Sequence, residues 1–505
     1  MTDTDQKPLF APSEFWRILI VAVLLICGFV TRLYNLTDPP LEYSSTRQLR
    51  SAMIARGIYY ETVDDGPEWK NVVAERQSLL HPRIEPEIIE NLTALTYRIV
   101  NGEYVWIARI YSSLFWTLGG LALYYLIKGM VSKDGAIIAL IYYLYAPFGL
   151  VVSRIFQPDP LMTAMIILAW MSFYCWYESP GWKWAILSGL SAGAAMYIKS
   201  TSIFFLLPAM AIIILSRQNI LKTIKDLQVW LIGSLSAIPI LAYHIYFVYI
   251  TGELATQFKG RFFPQMWSDP KFYLQWKNTL SNVVGHSILL IIGLIGLFLL
   301  MKKRDRLFVG AIWFGYLLYG FGFSYHITTH YYYTLPAIPL IAITLGEVAH
   351  RIIIFFRKIK MDSVVIAGSV LILVLGVAGG YYLLEKKDYS YEPYYYGKVG
   401  NFMEPESRII GISQDYGYRL SYFGWRVVNH WTGTESQQYR DLSNSELPPF
   451  SERFDFYSSR FDYFVITNLN ELERQEELSS ELYAHYPIVG EEGGFVIFDL
   501  RERVE

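Results

Sequence analysis

Two acidic residues, Glu42 and Asp159, stand at the ends of apolar segments in a chain that otherwise keeps charge out of such segments. An acidic side chain at the boundary of a lipid bilayer is costly unless it pairs, faces water or acts on a substrate. A carboxylate held there can accept the proton of a substrate hydroxyl, which is general base catalysis. Glu42 and Asp159 are therefore the candidate catalytic residues, with Glu42 as the base.

A second group of residues is cationic and suited to phosphate. Lys199 ends a run of apolar and small residues, and Arg47 and Arg50 share one face of a predicted helix. Together with Arg261, they are candidate ligands for the phosphate of a lipid-linked donor. A lipid phosphate headgroup lies at the depth of a transmembrane helix end, where Lys199 is predicted. A lysine at a helix end also commonly extends its ammonium to the interface without binding a substrate, and both interpretations of Lys199 stay open.

Other basic residues have a structural interpretation beside the catalytic one. Arg154 is close enough in sequence to Asp159 to be its ion-pair partner. Arg47, Arg50 and Arg56 could hold a helix against lipid headgroups, and for Arg56 we favour this over catalysis.

The segment around His330 is rich in rings that could bind a substrate. His326 and His330 are four residues apart, and Tyr331 and Tyr332 follow. Two histidines at this spacing share a helical face, but the sequence offers no obvious third metal ligand. We predict a substrate-binding segment and no certain cofactor, and leave a divalent metal open.

The elements that position these residues are membrane-spanning helices. Of the 505 residues, 53% are hydrophobic and 17% charged, and the mean hydropathy is +0.27, more apolar than a soluble chain. Both cysteines, Cys27 and Cys175, fall in apolar runs, which excludes a disulfide framework. The composition predicts a polytopic membrane protein.

Apolar runs of spanning length predict about eleven transmembrane helices. They lie near 15–33, 104–127, 134–153, 159–177, 183–199, 201–215, 229–250, 285–301, 307–325, 331–348 and 364–384. Lysine and arginine collect in alternate loops, which predicts a cytoplasmic N-terminus. The C-terminus, Glu42, Asp159, Lys199 and the His326–His330 segment then share the extracytoplasmic face.

Outside the spans, two parts of the chain have patterns of their own. The external loop at about 34–103 predicts two interfacial helices, one from Ser45 or Thr46 to Tyr60 and one from Glu85 to Ile99. Residues 388–505 hold 21 acidic and 10 basic residues, against 24 and 33 in residues 1–387. This change predicts a transmembrane domain (1–387) followed by a soluble, extracytoplasmic α/β domain (388–505).

Short apolar runs predict strands of that C-terminal domain at 408–413, 463–467 and 495–500, and a charged helix at about 470–486. The negative charge argues against nucleic-acid binding.

Several motifs resemble those of the GT-C superfamily of integral-membrane glycosyltransferases, both in their order along the chain and in lying on the same side of the membrane. They are the Pro-Pro-x-acid opening at 39–42, the arginine-bearing segment 47–56, the turn at 153–160, the helix-end Lys199, and 330–336 followed by Pro339. The chain is most similar to the branch of protein O-mannosyltransferases and the lipid A aminoarabinose transferase. Many members place an Asp-Glu pair directly before the arginine-bearing helix, where this chain has Arg47-Gln48.

The resemblance implies an inverting transferase, a hexosyl- or pentosyltransferase, that takes a sugar from a polyprenyl-phosphate donor. The acceptor would be a lipid, glycan or protein hydroxyl in cell-envelope glycosylation. Glu42 matches the family's candidate base, and Asp159 matches the second acidic position, which positions the acceptor or supports the site. The implied location is the plasma (inner) membrane, with membrane lipid as a further partner.

The alternative function is a transporter or flippase of a lipid-linked solute, which would also line a cavity with charge. Such proteins commonly carry paired broken helices near the bilayer midplane, and the sequence has no matching pair of Gly/Pro-interrupted segments. The polar residues collect at external helix ends instead, which favours the transferase.

Overall fold

The structure, a computed structural model, describes residues 8–10, 13–63, 67–255 and 261–504. The chain forms two compact units, each built from more than one stretch of sequence. Unit 1 comprises Met1–Leu36, Arg83–Pro86 and Arg109–Lys386. Unit 2 comprises Thr37–Pro82, Glu87–Ala108 and Lys387–Glu505. The predicted boundary at 387/388 between a membrane and a soluble domain stays a prediction.

All regular secondary structure in the described residues of unit 1 is helical. Its helices are α1 (Glu14–Thr31), most of α5 (Trp106–Met130), α6 (Lys133–Tyr145), α7 (Pro147–Val152), α8 (Asp159–Glu178), α9 (Trp182–Ile198), α10 (Ile203–Arg217), α11 (Ile220–Lys225), α12 (Leu227–Ile245), α13 (Pro270–Val284), α14 (Ser287–Leu299), α15 (Lys303–Gly322), α16 (Ser324–Thr329), α17 (Ala337–Lys358) and α18 (Asp362–Glu385).

Seven helical segments of the described chain are long and apolar enough to cross a membrane, or eight if the bent pair α13 and α14 is one span. The pair bends by 88°. Gly285 lies at the bend with φ +107°, a backbone conformation that favours glycine. The chain is a multi-pass membrane protein, and the count of eleven spans stays a prediction.

Part of the difference in count comes from apolar runs that form shorter helices. The run at 134–153 divides into α6 and α7 at Ala146, before Pro147, because proline cannot continue the hydrogen-bond ladder of the preceding helix. The run at 183–199 forms α9, which has 17 residues.

Close helix packing in unit 1 depends on small residues. A Cβ at Gly193 of α9 would collide with the backbone of Leu235 in α12, and one at Gly315 of α15 with the backbone of Phe204 in α10. Glycine at these positions lets the helix backbones approach, as is common where helices pack within a membrane. α9 and α10 flank Lys199, so this packing also sets the position of its backbone.

Unit 2 contains the remaining helices and a five-stranded sheet. The helices are α2 (Ser45–Tyr60), α3 (Glu68–Leu79), α4 (Ile88–Val100), α19 (Glu392–Gly400), α20 (Tyr418–Gly424), α21 (Gln437–Ser443), α22 (Phe450–Ser458), α23 (Leu469–Glu473) and α24 (Glu476–His485). The strands are β1 (Ile409–Ile412), β2 (Val428–His430), β3 (Tyr463–Ile466), β4 (Ile488–Glu492) and β5 (Phe495–Asp499).

The sheet is mixed, in the order β2-β1-β3-β5-β4. β1 pairs in parallel with β2 and β3, and β5 is antiparallel to both β3 and β4. Every residue of β1, β3 and β5 is buried, as expected for strands covered on both faces. The predicted fold class, a polytopic α-helical protein with a C-terminal α/β part, is confirmed, and β1, β3 and β5 lie at the predicted positions.

The helices from the first loop differ in how they pack. α2 buries ten consecutive residues, Gln48 to Gly57, and so does not present the free apolar face of an interfacial helix. α4 does leave apolar side chains exposed, with Leu95 at 52% and Ile99 at 73%. Of the two predicted interfacial helices, only α4 has a face available to lipid.

Arg56 of α2 joins the first loop to the C-terminal part of unit 2. Its guanidinium donates to both carboxylate oxygens of Glu103 at 3.0 and 3.1 Å and to the backbone oxygen of Tyr422 at 2.8 Å. It also lies 4.0 Å from the ring centroid of Tyr422 and 3.9 Å from that of Trp425. Arg56 is 3% exposed, so the headgroup interpretation of this residue is wrong.

Removing the charge of Arg56 should destabilise unit 2. Arg56→Met leaves the largely buried Glu103 carboxylate, 12% exposed, without its cation, which costs about 3–5 kcal/mol, or about 10 °C in melting temperature. Arg76 is the matched control, because its ion pair with Glu406 spans 3.8 Å and both side chains are about half exposed. In thermal unfolding of the purified variants, Arg76→Ala should lower the free energy of unfolding by less than about 1 kcal/mol. Equal shifts for the two variants would contradict this role of Arg56.

Candidate active site

Lys199 and Asp159 form a buried ion pair in unit 1. The Nζ of Lys199 lies 2.9 Å from Oδ1 and 3.1 Å from Oδ2 of Asp159. The two residues are 4% and 0% exposed. Asp159 is the first residue of α8 and Lys199 caps the end of α9, so each charge is at the helix end whose dipole favours it. Lys199 therefore does not extend its ammonium to the surface of unit 1.

A third charge completes this cluster. The Oε1 of Glu85 lies 3.6 Å from the Nζ of Lys199. The ammonium also lies 4.9 Å from the ring centroid of Tyr332 and 5.0 Å from that of Tyr333. Two carboxylates for one buried lysine leave the cluster with one net negative charge if all three groups are ionised. The sequence missed Glu85 as a site residue because Glu85-Pro86 is typical of a helix start.

The histidine segment lies beside this cluster. His326 is in α16, His330 follows it, and their rings are 5.8 Å apart and nearly parallel. Tyr332 contacts Lys199 as described, while Tyr331 packs against Phe148 with ring centroids 6.1 Å apart. The structure thus brings Tyr332 to the ion cluster and directs Tyr331 elsewhere. In the described ranges, no three His, Cys, Asp or Glu side chains are grouped closely enough to hold a metal ion.

Arg261 adds positive charge near the histidines. Burial lowers the pKa of His326 to about 3, and the charges of His330, Arg261 and Lys199 lower it further. His326 is therefore a neutral ring at physiological pH. Its Nδ1 is buried without a hydrogen-bond partner among the residues that the structure describes. A neutral imidazole with a free ring nitrogen can accept or donate a hydrogen bond to a substrate hydroxyl.

The other candidates lie in unit 2. Glu42 is half-buried in the segment before α2, and its charge contributes to the raised pKa of Tyr389, of which burial is the main cause. Arg50 is buried and donates to the backbone oxygen of Pro82 at 2.7 Å, and Arg47 is half-buried. Glu42 and Asp159 thus belong to different units, and their action in one site stays a prediction.

His81 is a buried residue of unit 2 that the sequence did not single out. Burial lowers its pKa to about 3, and the charges of Arg50 and Arg47 add to this effect. Neither ring nitrogen has a hydrogen-bond partner among the described residues. The ring packs edge-on against Tyr418, with centroids 4.8 Å apart. Because His81 is neutral, it adds no third positive charge beside Arg47 and Arg50.

The stability of unit 2 should decrease as the pH is lowered, because of His81. In the unfolded chain its pKa is about 6.5, so between pH 6.5 and pH 3 that chain binds a proton that the folded protein does not. The stabilisation is complete above about pH 6.5 and decreases by about 2 kcal/mol on going to pH 5.

His81→Phe keeps the ring contact and should lessen the fall in melting temperature between about pH 7 and pH 5. The control is His485→Phe, a partly exposed position in α24, which should follow the wild type. An unchanged pH profile for His81→Phe would contradict the prediction.

Residues 85–247 match the family described as dolichyl-phosphate-mannose-protein mannosyltransferase. The matched region contains all three charges of the cluster, Glu85, Asp159 and Lys199. No curated protein matches the sequence at a significant level.

Two solved proteins share the fold over nearly the whole chain. ArnT from Cupriavidus metallidurans, bound to undecaprenyl phosphate, aligns with 97% of this chain and 98% of its own, at 13% identity and a TM-score of 0.59. The chain has a GT-C fold. The oligosaccharyltransferase AglB from Archaeoglobus fulgidus, in complex with an inhibitory peptide and a dolichol-phosphate, aligns with 95% of this chain and 74% of its own, at 12% identity and a TM-score of 0.54. The resemblance to GT-C glycosyltransferases stated from the sequence is confirmed.

Proposed function

We propose that this GT-C protein is a glycosyltransferase that moves a sugar, a hexose or pentose, from a polyprenyl-phosphate donor to an acceptor hydroxyl. One observation carries the proposal: the cluster of Glu85 with the buried Asp159 and Lys199 lies inside the region that matches the mannosyltransferase family. The structures of ArnT with undecaprenyl phosphate and of AglB with a dolichol-phosphate support a lipid-linked donor.

The reaction is a single displacement with inversion at the anomeric carbon. The acceptor oxygen attacks that carbon, the bond to the lipid phosphate breaks, and the acceptor proton passes to a carboxylate. Glu42 is the proposed base, and Asp159 is proposed to position the acceptor or support the site. General base catalysis of this kind contributes about 10²–10⁴-fold to rate. Arg47, Arg50 and Arg261 are the proposed cations for the departing phosphate.

The role of Lys199 follows from its ion pair. An ammonium has three N–H donors, and contacts to Asp159 occupy part of this capacity. A donor phosphate would share the lysine with the two carboxylates. Lys199 either binds that phosphate directly or acts on the reaction by orienting Asp159, and the two roles differ in their kinetic signature.

The proposed location is the plasma (inner) membrane. The positive-inside pattern supports a cytoplasmic N-terminus, with the site and residues 388–505 on the extracytoplasmic face. Labelling of single introduced cysteines at Arg217 and Tyr483 with a membrane-impermeant reagent tests this orientation, because the two positions lie on opposite sides in the proposed topology.

The function is tested by incubating the purified protein with a panel of polyprenyl-phosphate sugars and measuring release of the lipid phosphate. We expect one donor to be turned over in the presence of a lipid, glycan or protein acceptor. Absence of release with every donor, together with movement of a lipid-linked solute across reconstituted vesicles, would replace the transferase by the transporter.

A further inference from the structure

A pocket of about 450 Å³ opens within unit 2. It is formed by segments that are far apart in sequence: Trp69 of α3, five residues between Pro393 and Asn401, and residues 423–426. Its volume falls in the range of small-molecule sites, about 300–1,000 Å³. None of the residues proposed for catalysis lines it.

Four of the ten residues that line the pocket are aromatic. Trp69, Tyr394, Phe423 and Trp425 line it, and Tyr394 is 65% exposed. Trp69 and Trp425 meet edge to face with ring centroids 6.0 Å apart. Tyr394 is exposed and the other three rings are half-buried, so a ligand that covers their remaining apolar surface would gain free energy.

Trp425 is held in an unusual conformation. Its φ of +51° and ψ of +51° lie in the left-handed region, which is rare for a bulky side chain and costs about 1–3 kcal/mol. The guanidinium of Arg56 lies 3.9 Å from its ring centroid and helps to hold the indole there. A glycine would adopt this backbone without strain, yet the position carries a large ring that lines the pocket.

Polar groups stand among these rings. The side chain of Asn401 has no hydrogen-bond partner among the described residues, and it is exposed to the pocket. Lys398 forms an ion pair of 2.5 Å with Glu492, and Lys70 lies 5.3 Å from the ring centroid of Trp425. No carboxylate is among the residues that line the pocket, so the lining favours a neutral or acidic ligand.

We propose that this pocket binds a saccharide and holds the carbohydrate part of the acceptor. A sugar ring has a face of C–H bonds, which packs on the electron-rich face of an aromatic ring, and an edge of hydroxyls, which needs amide and charged partners. The pocket supplies both, in Trp69 and Trp425 and in Asn401 and Lys398. Assignment of the saccharide to the acceptor rests on the proposed transferase, whereas saccharide binding itself does not.

The test is isothermal titration calorimetry of the full-length protein in detergent. The probes are soluble oligosaccharides of two to four units built from glucose, mannose, N-acetylglucosamine or galacturonate. We expect at least one probe to bind saturably, and its affinity should be the same for Glu42→Gln as for the wild type. Trp69→Ala and Asn401→Ala should each weaken that binding at least tenfold, and Trp69→Phe should restore part of it.

The control is Tyr483→Ala, a half-exposed tyrosine of unit 2 outside the pocket, which should bind as the wild type does. Asn401 is exposed, so its substitution tests the pocket even if a Trp69 variant fails to fold. Saturable binding without turnover of any donor would reject the transferase and keep the saccharide site. Turnover without binding of any probe, or binding that survives both substitutions, would overturn the saccharide site.

Discussion

Glu42→Gln is expected to lower kcat at least about a hundredfold, because glutamine keeps the shape of the side chain but cannot accept the acceptor proton. Binding of donor and acceptor should change little, so the two KM values should stay near those of the wild type. The measurement is steady-state release of the lipid phosphate with the donor identified from the panel.

The same loop offers a matched control in Glu61. It is an exposed carboxylate at the end of α2, and Glu61→Gln should retain full activity. Melting temperatures of both variants should equal that of the wild type, which separates a lost base from a lost fold. If Glu42→Gln keeps more than a tenth of the wild-type kcat, Glu42 is not the base.

Lys199→Ala is expected to raise the donor KM at least about tenfold while the acceptor KM stays constant, if the ammonium binds the donor phosphate. Asp159→Asn keeps the Lys199 ammonium as the cation for the donor phosphate. It should therefore lower kcat instead of raising the donor KM. A fall in kcat for Lys199→Ala with an unchanged donor KM would make Lys199 a positioning residue for Asp159.

Stability measurements on the same pair add a second readout. Each single substitution leaves a buried charge with less compensation, at a cost of about 3–5 kcal/mol. The double variant Asp159→Asn with Lys199→Ala removes both charges, so its loss should be smaller than the sum of the single losses. Lys183→Ala, at an exposed position of α9, is the control and should change neither KM nor melting temperature. Additive losses would show that the two side chains do not interact.

Strong periodic signals in the sequence predicted a large part of the fold. Six of the predicted apolar runs became α1, α5, α8, α12, α17 and α18, and three hydrophobic runs became β1, β3 and β5. β2 has only three residues, and β4 is exposed at four of five positions, so neither has the apolar pattern of a buried strand. α3 was missed because its sequence is polar, with only Val73, Ala74 and Gln77 buried.

The sequence predicted single residues of the candidate site but not their contacts with one another. Lys199 and Asp159 stand out because each is a lone charge at the end of an apolar run. Their pairing with each other depends on how α8 and α9 pack. Glu85 and the pocket of unit 2 depend on contacts between segments distant in sequence, for which local patterns carry no signal.

The assembly of unit 2 from two distant stretches constrains the order of events during synthesis. Arg56 and its acceptor, the backbone oxygen of Tyr422, are 366 residues apart. At the usual speed of a ribosome, about 5–20 residues per second, the first stretch waits about 20–70 seconds for the second. Throughout that time Arg56, Gln77 and the apolar side of α2 lack part of their final partners. A nascent chain halted before residue 422 would expose these groups to proteases and folding factors.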